Sequence, residues 1–340
     1  MAKSRTGTTK RAALSDVAAE AGVSVMTVSN VINNKEIVRS QTRERVIKAI
    51  NKLGYVPTQA GRSLRTNKQW AVGFLLIDDN ARYFNDPLNA EIIAGLSDRL
   101  NRAGFSLVVE LGKSHSLQKI NGFHRRLVDA LVILSSGDAA NIAKLEKATA
   151  NLDVPRVFIQ AAPVSKSVST INLSDYESAM LIADHLAARG VTSALVIDTK
   201  LQWHAFSERK RGLKKGFAAI SKEIQMSTIK STSEGYEDTR EALELYLDKN
   251  PTPDAVVGLN DYMAIAAMQC LQERGLRIPQ DIKITGFNSA ELINYVTPRL
   301  TTVHGSPFDV GAAAAEAAIN PEQKIVNHRL PVALVRGDTT

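Results

Sequence analysis

Six side chains between residues 25 and 33 have the chemistry to read a DNA duplex: Val25, Met26, Thr27, Ser29, Asn30 and Asn33. An Asn amide pairs bidentately with adenine, and small apolar groups touch the thymine methyl. Hydroxyls and amides also donate to phosphates, which positions a protein without specifying sequence. On this chemistry Val25, Met26 and Asn30 are the candidate base readers. Thr27, Ser29 and Asn33 are candidate phosphate donors. Further on, Leu64 stands between Arg62 and Arg65. An apolar wedge flanked by basic side chains opens the minor groove and kinks the duplex. Catalytic chemistry has no comparable signal. Gly112-Lys113-Ser114 ends like a phosphate loop, but Leu107 occupies the place of its first Gly. There is no His-x-x-x-His pair and no G-x-G-x-x-G, and His185 and His204 have no Ser/Asp relay at motif spacing. They read as core or surface histidines. The chain is therefore not expected to be an enzyme.

The elements that would position the readers follow from local pattern. Ser15 to Gly22 reads as a short helix with Val17, Ala18 and Ala21 on one face. Asp16 lies in its first turn, where the helix dipole favours a carboxylate. Gly22 allows the tight turn, and Ser24 is a suitable N-cap for a second helix, Val25 to Ile32. Val28, Val31 and Ile32 give that helix a buried face. Two short helices joined by about three residues with a Gly form a helix-turn-helix, whose second helix enters the major groove. A third helix opens at Ser40, runs through Val46, Ile47, Ile50 and Leu53, and stops at Gly54. Pro57 begins a segment in which Thr58 can cap a short helix carrying Gly61, Arg62, Leu64 and Arg65. An ordinary helical hairpin with a polar face, and a plain linker after it, are the competing structural readings.

Charge weighs against them. The chain carries 42 Lys/Arg against 35 Asp/Glu over 340 residues. Residues 1–69 hold 13 basic and 4 acidic side chains, which leaves 29 against 31 elsewhere. The basicity thus belongs to the N-terminal fifth. A solvated basic tail would lack the apolar periodicity seen there, whereas a basic folded unit beside a neutral one points to a polyanion partner. A single Cys excludes an internal disulfide and fits a reducing cytoplasm. Cys270, in an apolar helical stretch, reads as a buried spectator. Six His and one Cys are too few for a metal cluster of the usual spacing, so no metal or cofactor is expected. The basic N-terminus is followed by no apolar run, which argues against a signal peptide. No apolar segment of membrane-spanning length occurs.

From Trp70 onward short apolar runs alternate with amphipathic helices. Val72–Ile77, Ser106–Glu110, Ala130–Leu134, Arg156–Ile159, Ala194–Ile197, Ala255–Gly258 and Ile282–Gly286 are strand-like, and Ala90–Ala103 is helical. Continuous apolar strands alternating with helices imply parallel sheets covered on both faces. Their number suggests two sheets with a ligand cleft at the strand ends.

These stretches, taken in order, resemble the LacI family of bacterial transcription regulators. The resemblance is carried by Leu14-Ser15-Asp16-Val17-Ala18, Ala21-Gly22-Val23-Ser24, Thr27 to Asn33, Thr42-Arg43, Leu53 to Pro57 and Arg62-Ser63-Leu64. It continues through Pro155, Arg209 to Leu213, Asn260 to Ala264, Gly275, Pro279-Gln280-Asp281, Gly286-Phe287 and Pro298 to Val303. It implies a small all-α helix-turn-helix head with a hinge helix, followed by an α/β type I periplasmic-binding-protein-like domain of two parallel-sheet subdomains. The implied domains are a DNA-binding head at 1–56, a hinge helix and linker at 57–69, and an effector-binding and dimerisation domain at 70–340. The latter divides into an N-subdomain, about 70–172 and 303–328, and a C-subdomain, about 173–302 and 329–340.

The resemblance further implies a repressor acting as a homodimer on a near-palindromic double-stranded operator, with Leu64 as minor-groove lever. The chain ends without a heptad tail, which favours a dimer over a tail-assembled tetramer. A small effector, sugar or sugar derivative, would bind between the subdomains and alter the paired hinge helices, as inducer or as corepressor. Arg209 and Asp261 are its implied contacts. An Arg donating beside an Asp accepting suits a polyhydroxyl ligand. Several positions depart from the family pattern. Asn30 replaces the usual Arg or His and Gly61 the usual Ala, Leu88-Asn89 stand where aromatics are common, Asn288 stands where Asp is usual, and Gly305 where Gln is frequent. Asn89, Asn288 and Lys230 complete the expected effector set. Arg209 with Lys230 would favour an anionic ligand such as a sugar acid or sugar phosphate.

Overall fold

The computed structural model describes residues 12–32, 37–55, 68–78, 86–113, 127–162, 165, 168–200, 202–220, 224–289, 291–320 and 325–340. The chain divides into two compact units, Met1–Gln69 and Trp70–Thr340.

The first unit is helical where described: α1 Leu14–Ala21, α2 Val25–Ile32 and α3 Ser40–Leu53. Each boundary has a local cause. The Asp16 carboxylate accepts from the Ala13 backbone N–H at 2.8 Å, closing the first turn of α1. Ser24 Oγ accepts from the Thr27 N–H at 3.1 Å and so caps α2. Gly22 and Gly54 end α1 and α3 at φ of +63° and +58°, where a side chain would be strained. Val17, Ala18, Ala21, Val28, Val31, Val46 and Ala49 form one small core. Lys52 pairs with Glu20 at 2.7 Å and ties α3 to α1. Ile47 differs from Val46, Ile50 and Leu53, the other apolar residues expected along α3, in being exposed.

The second unit begins with β1 Ala71–Ile77, α4 Pro87–Arg102, β2 Ser106–Gly112, β3 Ala130–Ser135, α5 Ala139–Thr149, β4 Arg156–Ile159 and β5 Ser169–Leu173. It continues with α6 Asp175–Ala188, β6 Ser193–Thr199, α7 His204–Ala219, β7 Gln225–Ser231, α8 Tyr236–Leu247, β8 Ala255–Gly258, α9 Asp261–Glu273 and β9 Lys283–Thr285. A 3-10 turn at Glu291–Tyr295 leads to β10 Thr302–His304, α10 Pro307–Ile319, β11 Asn327–Leu330 and β12 Ala333–Val335. Among the described residues the first sheet runs β11-β5-β4-β3-β1-β2 and the second β7-β6-β8-β9, with β10 and β12 as a separate antiparallel pair. All pairings within the two larger sheets are parallel.

Apolar clusters on the two faces of the first sheet explain its continuous apolar strands. On one face α4 and α10 pack too closely for side chains. A Cβ on Gly95 would lie 1.9 Å from the Phe308 carbonyl, and one on Gly311 would lie 2.1 Å from the Ile92 carbonyl. A larger cluster holds the second sheet. Cys270 is buried there, and desolvation pushes its thiol pKa up, as suits a spectator.

Two features differ from the sequence expectation. β11 pairs with β5 along its whole length, so residues 329 and 330 lie in the first sheet rather than opening the C-subdomain's final segment. The strands β5 and β7 carry no continuous apolar run. β7 is an edge strand with four of seven residues exposed, so its sequence needs no such run.

Candidate functional site

In the first unit, Val25 and Met26 open α2 and are 46% and 69% exposed. Large apolar side chains in that position face solvent or a partner rather than the core. Thr27, Ser29 and Asn30 are half-buried. Thr27 Oγ1 lies 2.9 Å from Ser24 Oγ, so the hydroxyl pair at the helix start is already oriented. Asn30 lines a depression between α2 and α3 together with Ser24, Thr27, Arg39, Thr42 and Arg45. One recess therefore offers an amide, three hydroxyls and two guanidinium groups, and Val25 and Met26 stand exposed at the start of α2. Asn33 and the hinge residues Gly61, Arg62, Leu64 and Arg65 lie outside the described residues.

In the second unit, a cleft partly open to solvent is lined by Leu134 of β3 and by residues that follow strands of both larger sheets. Most of its polar lining follows the C-terminal ends of parallel strands, where such folds leave a crevice. Gln160 follows β4, Glu234 follows β7, Asn260 follows β8 and Asn288 follows β9. Trp203, Phe206, Leu88 and Leu134 supply an apolar wall. A smaller depression shares Asp86, Leu88 and Asn288 with the first and adds Glu91, Asp261 and Tyr262.

Arg209 organises this region. It is 3% exposed and bonds to the buried Asp175 carboxylate through Nε at 2.8 Å and Nη2 at 2.7 Å. Nη1 donates to the Leu259 carbonyl at 2.6 Å, and Nη2 to Asn288 Oδ1 at 2.8 Å. Its guanidinium also lies over the Phe287 and Phe206 rings at 4.8 and 5.8 Å. One side chain thus joins α6, α7 and the loops after β8 and β9, and its charge is compensated inside the protein. A buried guanidinium needs such a partner, because an unpaired buried charge is very costly.

The carboxylates are held as firmly. Asp86 caps α4 by accepting from the Leu88 N–H at 3.0 Å. Glu234 accepts from the Trp203 indole N–H and, at 2.8 Å, from Asn260 Nδ2. Asp261 is 1% exposed and accepts from the Thr302 hydroxyl at 2.6 Å. Gln160 Oε1 accepts from the Leu173 N–H at 3.0 Å. With one lone pair of the Gln160 and Asn288 carbonyls so engaged, these side chains can offer a ligand their amide N–H groups and the remaining lone pair. Both residues sit at positive φ, 51° and 100°. Such strain persists where the surrounding structure holds it, commonly at ligand sites.

Of the effector residues expected from sequence, Arg209, Asn89 and Asn288 line the larger cavity and Asp261 the smaller. Lys230 does not join them. It is exposed on the edge strand β7 while its neighbour Ser231 is buried, because successive strand side chains point to opposite faces. The expectation of an anionic ligand, which rested on Lys230 beside Arg209, loses both supports: one cation is elsewhere and the other is paired. Sequence reasoning missed Asp86, Gln160, Trp203, Phe206 and Glu234. Phe206 and Arg209, three apart on α7, share a helix face, and that spacing could have flagged Phe206.

Comparison with known proteins places these observations in a lineage. The model for bacterial regulatory proteins of the lacI family matches residues 13–58, and that for a periplasmic binding protein-like domain matches residues 183–340. The chain is 30% identical over 309 residues to the HTH-type transcriptional repressor PurR of Vibrio vulnificus, covering 90% of each chain. It is 32% identical over 313 residues to the PurR of Aliivibrio salmonicida, again covering 90% of each. Among solved structures, the Lac repressor bound to ONPG in its repressed state has a TM-score of 0.83 at 25% identity, covering 97% of this chain and all of that one. The transcriptional regulator CelR in complex with cellobiose has a TM-score of 0.72 at 25% identity with the same coverage.

Proposed function

Because the chain belongs to the LacI family and is a DNA-binding transcriptional repressor of the LacI/PurR type, we propose that a small polyhydroxyl effector, a sugar or sugar derivative, controls its operator affinity from the cleft in residues 70–340. The observation that carries this reading is the pairing of an aromatic wall, Trp203 and Phe206, with convergent carboxylates and amides in one cavity. Sugar rings present C–H faces that pack on aromatic surfaces and hydroxyls that both donate and accept. The cellobiose in the related CelR structure supports the same ligand class.

On the DNA side, Val25, Met26 and Asn30 read base edges, and Thr27, Ser29 and Asn33 contact phosphates. Leu64, flanked by Arg62 and Arg65 near Gly61, is the minor-groove wedge. The protein acts as a homodimer, since two-fold protein symmetry matches a near-palindromic site. Its division into 1–56, 57–69 and 70–340 follows from these roles.

The test is an operator selected from random DNA, followed by anisotropy titrations at several salt concentrations and with a panel of carbohydrates. Phosphate-contacting binding loses about 0.9 log units of affinity per contact for each log unit of salt. A salt-insensitive affinity would overturn the DNA assignment. Operator affinity unmoved by every carbohydrate would overturn the effector assignment.

A further inference from the structure

Among the described residues of the first unit, four large apolar side chains are exposed: Val25, Met26, Ile37 and Ile47. Val25 and Met26 open α2, and Ile47 lies along α3. Ile37 is 77% exposed, the largest value of the four, and lines the recess between α2 and α3 together with Thr27 and Asn30. An isolated exposed Ile needs no explanation. One that shares a recess with the candidate reader Asn30 does. We propose that Ile37 is a further base-reading residue, which packs on the 5-methyl group of a thymine among the base pairs that α2 reads. The proposal rests on the reading of α2 as the major-groove helix.

Three observations support this. First, the chain that carries Ile37 is anchored directly after it. Val38 packs against the core of the head, and Arg43 Nη1 donates to the Val31 carbonyl at 3.4 Å, which ties α3 to the end of α2. Ile is also stiff at χ1, so it loses little freedom when a partner covers it. Secondly, the recess matches one kind of base pair. In the major groove an A·T pair presents the adenine N7 and N6–H₂ on one side and the thymine O4 and 5-methyl on the other, and a G·C pair has no methyl. Asn30 supplies an amide for adenine, and Ile37 supplies the apolar surface that the methyl needs. Thirdly, the same recess carries Arg39, Thr42 and Arg45. Guanidinium and hydroxyl groups donate to the phosphates that flank the bases. A purely apolar partner would bury those donors without acceptors, which is costly. A duplex offers the methyl and the phosphates together.

The experiment uses the full-length protein and the operator selected from random DNA, with each thymine replaced in turn by uracil. Uracil keeps the pairing edge and O4 and lacks only the methyl. Binding is read by anisotropy titration. For the wild type, at least one uracil substitution should weaken binding about three- to fivefold, the worth of about one buried methyl group. In Ile37→Ala that penalty should fall to about 1.5-fold or less, the sign that side chain and methyl are coupled. Ile37→Ser serves in its place if Ile37→Ala does not fold. Ile47→Ala, exposed but outside the recess, should leave operator affinity and the uracil pattern unchanged. If no uracil substitution weakens binding, or if every penalty survives Ile37→Ala and disappears only in Val25→Ala or Met26→Ala, the inference is overturned and the reading of α2 stands. An equal effect of Ile47→Ala would also overturn it, since the recess would then not be the cause. If no substitution at Val25, Met26 or Asn30 alters any base preference, the reading of α2 falls and the inference with it.

Discussion

The DNA-facing helix and the effector cleft solve opposite problems. The candidate readers on α2 lie within eight residues, begin with two exposed apolar tips, and rest on a core of only a few small side chains. The cleft residues come from positions as far apart as 86 and 288, and several are buried, with the Arg209 charge paired to Asp175. A surface reader must keep its bonding groups available for a partner. A cleft must hold polar groups out of water before its ligand arrives, so it invests them in one another. Substitutions in the two regions should therefore fail in different ways.

The largest effect is expected at Arg209. Arg209→Ala leaves Asp175 buried without its cation and should destabilise the Trp70–Thr340 unit by about 3–5 kcal/mol. Chemical denaturation would show this, and an unchanged midpoint would break the comparison. Asn30→Ala should leave the melting temperature within a degree or two but lower operator affinity by about 1–3 kcal/mol, with relaxed preference at the adenine it reads. Equal binding to all base variants at every position before and after substitution would remove Asn30 from the reader set. Gly61→Ala, in the segment expected from the sequence to form a hinge helix, should tighten operator binding by up to about 1 kcal/mol, the helix-propensity gap between the two residues. Gel-shift titration tests it, and weaker binding would speak against a helical hinge.

The smallest effect is pH-dependent. Burial lowers the pKa of His185, with Arg189 and Arg336 adding to the shift, and its Nε2 lies 2.8 Å from Thr340 Oγ1. The folded state thus favours the neutral ring relative to an unfolded value near about 6.5. Its contribution is fully present above that pH and is lost as pH falls through the lower folded value. Melting curves between pH 7 and 5 should slope less steeply for His185→Asn than for the wild type.

The head was legible because its signals are local. Ser24 capping α2, Asp16 closing α1, and Gly22 and Gly54 ending helices are all decided within four or five residues of chain. The alternation of apolar strands and helices from Trp70 onward was legible for the same reason: burial on both faces writes continuous apolar runs into β1, β3 and β8. The exposed edge strand β7 has no such constraint and left no comparable signal.

By itself, then, the sequence determined the helix-turn-helix, the two-sheet architecture and the chemistry available on α2, since each depends on near neighbours or on a simple period. The tertiary structure decided which partners the cleft residues meet and which expected residue stays out of the cleft. It separated Lys230 from Arg209 by one step of strand alternation, gave Arg209 to Asp175, and set Glu234 against Trp203. Charge compensation and strand-end convergence act between distant segments, and no local pattern encodes which partner each side chain will meet.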